Sequence, residues 1–230
     1  MASARLSTDR DLRPVVITMG DPAGIGPEII ARALRQRPEL LRRVVVAGDG
    51  PTLQRAWLLT RESPAAQEPV PVAVGSLEEA ATLPFDTLAM VQACALPQLV
   101  TPGRISASAG RAAADCIAWA AHAALRGEAS AVVTAPIHKE ALAAAGVPHP
   151  GHTEFLQALA AEYQGVPVQQ LPVRMMLSCP GLRTVLVSIH VALRQALEVV
   201  TQDQVLQTLR ITAAHFARSG LPQTRIAVAG

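Results

Sequence analysis

Aromatic side chains make up only 3% of the 230 residues, and Lys139 is the one lysine among 20 basic residues. So few aromatics remove the stacking platforms that single-strand nucleic-acid binders use. The net charge is only +2 and comes from scattered arginines, so no basic stripe follows a phosphate backbone. Nucleic acid is therefore excluded as an expected partner. No apolar run approaches the ~20 residues that cross a bilayer. The opening Met1–Arg10 has no apolar signal core, so a cytoplasmic protein without membrane contact is expected. Cys94, Cys116 and Cys179 are odd in number, widely spaced and set among apolar residues. That spacing excludes a cysteine zinc cluster and a disulfide framework, and the three read as reduced core thiols.

Apolar residues, by contrast, are abundant: they form half of the chain, against 17% charged residues, enough for a sizeable core. Residues 1–12 read as a disordered tail. Residues 13–230 read as an incomplete two-lobed α/β unit with a lobe boundary near 130–150. Short apolar runs at 14–19, 44–47 and 131–134 are typical of buried parallel strands. Helices are expected from about Pro27, over 105–125, 139–145 and 153–163, and over 202–218. Runs at 173–177 and 184–188, joined by Pro180-Gly181, suggest a hairpin. The proline-rich stretch 61–97 reads as loops with short strands outside the main sheet. A final strand is expected at 225–229. The fold class is α/β with a mixed, mostly parallel sheet. Ligands in such sheets sit at the carboxyl ends of strands, and Gly230 stands where the last strand would hand over to a loop, so functional residues are expected beyond it.

Four segments carry possible chemistry. Gly20-Asp21-Pro22-Ala23-Gly24-Ile25-Gly26-Pro27-Glu28 is a strand–turn–helix segment whose glycines allow a tight turn and a close backbone approach. Its spacing matches neither dinucleotide nor phosphate-loop fingerprints, so an ordinary tight connection explains it equally well. In Thr134-Ala135-Pro136-Ile137-His138-Lys139-Glu140, Lys139 could hold a phosphate or carboxylate and His138 could shuttle a proton. The plainer reading is an exposed helix start. Pro150-Gly151-His152-Thr153-Glu154-Phe155 puts an imidazole, a hydroxyl and free amides at one helix N-terminus, suited to an anionic substrate. Capping by Thr153, with His152 in solvent, is the alternative. His190 follows an apolar strand where a neutral imidazole suits a divalent metal. One histidine is not a metal site, and a structural histidine fits as well. His122, His149 and His215 read as solvent or packing residues.

Together these segments resemble the 4-hydroxythreonine-4-phosphate dehydrogenase family. Val16–Glu28 is similar to its amino-terminal signature. Val133–Glu140, Gly151–Phe155 and the pair Met175-Met176-Leu177 with Ile189-His190 are similar to its later landmarks. The resemblance runs over nearly the whole chain, with the carboxyl-terminal third of the family absent. It implies two α/β lobes like those of isocitrate and isopropylmalate dehydrogenases, a cleft between them, and a homodimer. It further implies NAD or NADP, a divalent metal (zinc, cobalt or magnesium), and oxidation of 4-phosphooxy-L-threonine at C3. Decarboxylation to 3-amino-2-oxopropyl phosphate follows, in pyridoxal 5'-phosphate biosynthesis. By the same resemblance His152 and Thr153 bind substrate and His190 is a metal ligand whose partners lie beyond Gly230. His138, Lys139 and Asp21 are secondary catalytic candidates, and the chain alone is expected to be inactive or weak. A 4-phospho-D-threonate or erythronate dehydrogenase of the same superfamily is the near alternative, and in that branch Asn often stands in place of His138. A phosphate-acyltransferase-like protein is the distant one.

Overall fold

The computed structural model describes residues 13–61, 71–84, 86–189 and 191–229. The tail expected at 1–12 lies outside them. The chain forms two compact units, the first ending at Gln170 and the second beginning at Leu171.

The first unit is built on five parallel strands: β1 (Val15–Thr18), β2 (Val44–Gly48), β3 (Pro71–Val74), β4 (Leu88–Gln92) and β5 (Ala131–Thr134). They lie in the order β3-β4-β2-β1-β5, with Val15 beside both Val44 and Ala131. The helices are α1 (Gly26–Gln36), α2 (Gly50–Leu59), α3 (Leu77–Ala80), α4 (Ala107–Leu125), α5 (Lys139–Ala144) and α6 (His152–Gln164). This is the mostly parallel α/β pattern implied by the sequence.

Strand β2 explains why the sheet is covered on both faces. All five of its residues are buried, and successive side chains of a strand point to opposite faces. Val44 and Val46 join Met19, Ile30, Leu34, Leu53 and Leu88 under α1 and α2. Val45 joins Val16, Ala89, Val91, Ala120 and Ala123 under α4. Each fully buried Leu or Val here contributes about 1.5–3 kcal/mol. The many alanines of α4 allow close approach to the sheet, and Ser106 caps its start by accepting from the Ala109 N–H at 3.2 Å.

Several expectations need correction. The stretch 61–97 is no excursion: β4 lies inside the main sheet between β2 and β3. Its four apolar residues, Leu88-Ala89-Met90-Val91, are all buried, but the run is too short to stand out among loop prolines. Helix α2 was not anticipated, although Asp49 caps it by accepting from the Thr52 N–H and Pro51 stands in its first turn. The stretch 130–150 lies inside the first unit, because β5 pairs with β1 and α5 packs on α4.

The second unit holds the antiparallel hairpin β6 (Met176–Cys179) and β7 (Leu182–Val185), then α7 (Leu193–Val199) and α8 (Gln202–Arg218). Residues 225–229, expected as a strand, join no ladder among the described residues. A strand exists only by pairing, and here Val228 remains 64% exposed. Cys94 and Cys116 are buried, as expected of core thiols, but Cys179 is exposed. Hairpin residues Leu177–Cys179 are all open to solvent, so an apolar sequence context did not mean burial. The neighbouring Cys94 thiol, and then burial, hold the Cys116 thiol well above its ordinary range, which keeps it unreactive.

Candidate functional site

Because β1 and β5 are parallel neighbours, the segments that follow them leave the same edge of the sheet. Gly20 takes a left-handed φ of +76°. The next residue, Asp21, donates its N–H to the Pro136 carbonyl at 2.9 Å. The turn and the Thr134–Glu140 segment are therefore in direct contact. A Cβ on Gly20 would stand 2.4 Å from that same carbonyl oxygen, and one on Gly26 would stand 2.4 Å from the Met19 carbonyl. These glycines serve close backbone packing.

Asp21 is buried, and its Oδ1 accepts from the Ala23 N–H at 2.8 Å. Its carbonyl accepts from the Gly24 N–H at 3.0 Å. Its side chain thus shapes the turn in the manner of an Asx-turn. Arg55 steadies the same turn, donating to the Pro22 carbonyl at 3.1 Å and the Val100 carbonyl at 2.8 Å. Gly103 N–H donates to the Ala23 carbonyl at 2.7 Å.

His138 occupies the cap position of α5 without a side-chain cap hydrogen bond, and Lys139 is the first residue of that helix. Both are exposed. Opposite them α5 packs on α4 at Gly110, where a Cβ would stand 1.9 Å from the Ala141 carbonyl oxygen.

Helix α6 begins at His152 and its cap is Gly151. Thr153 is therefore not the cap but an exposed residue of the first turn. His152 is half-buried, not in open solvent, and its Nε2 has no hydrogen-bond partner among the described residues. Burial lowers its pKa from the ordinary 6.5, so the imidazole is neutral near pH 7 with one donor and one acceptor nitrogen. His149 stacks on Phe155 with ring centroids 4.9 Å apart, and so has a packing role. Phe155 and Leu156 pack with Ile137 against Ile117, Ala121 and Leu159. That cluster ties the His152 segment to the His138 segment through α4.

Three of the four sequence segments thus meet in the first unit. His190 lies outside the described residues. Among the described residues no group of three or more His, Cys, Asp or Glu side chains could hold a metal ion. No described helix is long and apolar enough to cross a membrane. Two further polar groups, Thr18 Oγ1 and Glu28 Oε2, are buried without a hydrogen-bond partner among the described residues. Thr18 ends β1, just before the first segment, and Glu28 lies in the first turn of α1 at that segment's end; neither an apolar strand nor a helix start marks such an atom in the sequence. An unsatisfied buried polar atom costs about 1–3 kcal/mol.

The lowered pKa of His152 has a consequence for stability. Between its folded pKa and 6.5 the unfolded chain binds more protons, so stability is full above pH 6.5 and falls as pH drops through that window. Replacing His152 by Gln should flatten this acid-side loss in urea unfolding measured from pH 7.5 to 5. An unchanged slope would mean that the imidazole is not shielded.

A family model described as "Pyridoxal phosphate biosynthetic protein PdxA" matches residues 39–230. The chain is 40% identical over 217 residues to 4-hydroxythreonine-4-phosphate dehydrogenase of Beijerinckia indica subsp. indica, covering 94% of this chain and 60% of that protein. It is 35% identical over 221 residues to D-threonate 4-phosphate dehydrogenase of Salmonella typhimurium, covering 96% of this chain and 64% of that one. The solved 4-hydroxythreonine-4-phosphate dehydrogenase of Klebsiella pneumoniae is similar with a TM-score of 0.80 at 34% identity. That match covers 97% of this chain and 64% of that chain. The chain therefore spans 60–64% of the length of these relatives.

Proposed function

This chain belongs to the pyridoxal phosphate biosynthetic protein PdxA family, and from that premise we propose that it supplies the substrate-orienting part of a dehydrogenase. The reaction proposed is oxidation of 4-phosphooxy-L-threonine at C3 with NAD or NADP, followed by decarboxylation to 3-amino-2-oxopropyl phosphate. The setting proposed is a cytoplasmic homodimer. The observation that carries this reading is the meeting of three segments through the Asp21–Pro136 hydrogen bond and the Ile137–Phe155 cluster.

His152 and Thr153 would hold the substrate. A neutral imidazole donates one N–H to an anionic oxygen, and the Thr153 hydroxyl and the free amides of the first α6 turn can add further donors. Fixing the substrate in this way makes hydride loss effectively unimolecular. Lys139 would attract the phosphate or carboxylate and His138 would stand on the proton path. Asp21 would act only by holding the turn. A divalent metal (zinc, cobalt or magnesium), when bound, would supply charge stabilisation at the oxidised hydroxyl. His190 is proposed as one of its ligands. The roles proposed for the described residues of this chain are binding and orientation.

Two measurements test this. Calorimetry with 4-phosphooxy-L-threonine should detect binding that His152→Ala weakens about tenfold, the loss of one hydrogen bond to a charged group. Unchanged affinity would remove His152 from the site. Nicotinamide reduction by the 230-residue chain with metal should be at least about 100-fold slower than by the Beijerinckia indica relative, since small misplacements of reacting groups already cost that much. The 35% identity to the Salmonella typhimurium protein favours 4-phospho-D-threonate as the second substrate. Tighter binding of that acid than of 4-phosphooxy-L-threonine would reverse the assignment.

A further inference from the structure

The core of the first unit holds a pair of thiols that the candidate site does not use. Cys94 stands in the bend directly after β4, and Cys116 lies in the middle of α4. Both belong to one buried cluster, together with the thioether residues Met19 and Met90. The two cysteines are 6% and 0% exposed, and their thiols are close enough to share a hydrogen bond. Each is carried on a fixed backbone. Beside Cys94, the Ala93 N–H donates to the Gly48 carbonyl at 3.0 Å, and Gln92 Nε2 donates to the Cys94 carbonyl at 2.8 Å. Cys116 belongs to a 19-residue helix. Asp49 and Asp115 are near enough to oppose negative charge on the pair. Both oxygens of Asp49 are engaged, Oδ1 by Gln92 Nε2 at 3.0 Å and Oδ2 by the Thr52 N–H and hydroxyl at 3.0 and 2.7 Å. Asp49 is therefore a fixed neighbour of the thiols and not a free ligand.

Two neighbouring sulfurs in a dry core restrict the ligand. Zinc takes four donors in a structural site, and among the described residues no group of three His, Cys, Asp or Glu side chains could hold a metal. Soft cations prefer sulfur, and those that take two sulfurs in a line need only what the pair supplies. Charge narrows the choice further. A monovalent ion on two thiolates would leave one negative charge in the core beside Asp49 and Asp115, where an unpaired charge is costly. A divalent ion leaves none. We propose that Cys94 and Cys116 form a two-coordinate site for a divalent thiophilic cation of the mercuric kind, which bridges the end of β4 to α4. Binding breaks two S–H bonds, forms two metal–sulfur bonds and releases two protons, with no change of oxidation state. The proton held tightly on Cys116 in the free protein is no obstacle, because a coordinating thiol is deprotonated outright. The bridge pins the helix on which α5 and α6 pack. The inference is independent of the proposed reaction.

Mercuric chloride is the probe, and the 230-residue chain carrying Cys179→Ser is the test protein, since Cys179 is the exposed thiol. Calorimetry in buffers of different ionisation enthalpy should show one ion bound per chain and two protons released for each. Far-UV circular dichroism should stay native and Tm should rise. Zinc chloride should bind at least about 100-fold more weakly, because joining two donors raises affinity about 10²–10⁴-fold only where both reach the same ion. Cys94→Ala and Cys116→Ala, each added to Cys179→Ser, should lose a similar factor for mercuric ion. Should either variant fail to fold, the stoichiometry and proton count of Cys179→Ser alone decide. Four results would overturn the inference. One is no binding to Cys179→Ser. Another is one proton released per ion, which means a single thiol. The third is loss of native circular dichroism on binding, which means that the thiols are reached only by unfolding. The fourth is affinity that survives removal of either cysteine.

Discussion

Replacing Gly110 by alanine should destabilise the first unit by about 1–2 kcal/mol net, although alanine is the better helix former. Helix propensity alone favours the change by about 1 kcal/mol. Against that, the new Cβ would lie 1.9 Å from the Ala141 carbonyl oxygen, 2.3 Å from its carbon and 2.8 Å from the Leu142 nitrogen. All three are backbone atoms, so no side chain can swing aside, and α5 itself must move. Overpacking of this kind costs about 1–3 kcal/mol, occasionally more. Because α5 starts at Lys139, the shift also displaces His138 and Lys139. The urea midpoint decides the matter by its sign. A lower midpoint supports tight contact between α4 and α5, whereas a higher one would show that propensity wins and that the helices part freely.

The second large effect is expected at Gly20. Alanine there must adopt the left-handed region at φ +76°, costing about 1–2 kcal/mol. It must also clear the Pro136 oxygen at 2.4 Å, which adds about 1–3 kcal/mol. Loss of the Asp21–Pro136 hydrogen bond adds about 1 kcal/mol. Gly146 separates these contributions, since its φ is +71° but nothing lies within 4 Å of its would-be Cβ. Gly146→Ala should therefore show the conformational cost alone, and Gly20→Ala roughly twice that or more. Equal midpoint shifts for the two variants would mean that the close approach at Pro136 contributes nothing.

Much of this was legible in the sequence, for local reasons. The β1 turn and start of α1, the α8 range and the hairpin each follow from periodicity and turn residues within a dozen positions. Short strands are expected within 61–97, but the place of β4 inside the main sheet is not legible, because four apolar residues carry too little periodicity to say what they pair with. The exposure of Cys179 was missed because burial depends on what packs against a strand, which no local pattern contains. The candidate site divides in the same way. The residue types and the helix start at His152 could be read directly. The contact that brings Asp21 to Pro136, the half-burial of His152 and the orphaned Thr18 and Glu28 atoms arise from pairing between distant segments. In the first motif the close backbone approach at Gly20 and Gly26 likewise comes from residues distant in sequence or across the turn.

The placement of β1 between β2 and β5 also sets an order of events during synthesis. Ser130, just before β5, donates to the carbonyl of Pro14, just before β1, across 116 residues. A ribosome adding ~5–20 residues per second needs roughly ten seconds to cover that interval. Until it does, β1 has only one of its two sheet neighbours, and its other edge can pair with whatever strand reaches it first. The sheet that carries the site is thus closed by a late arrival, and the nascent chain depends on keeping that edge unoccupied until β5 emerges.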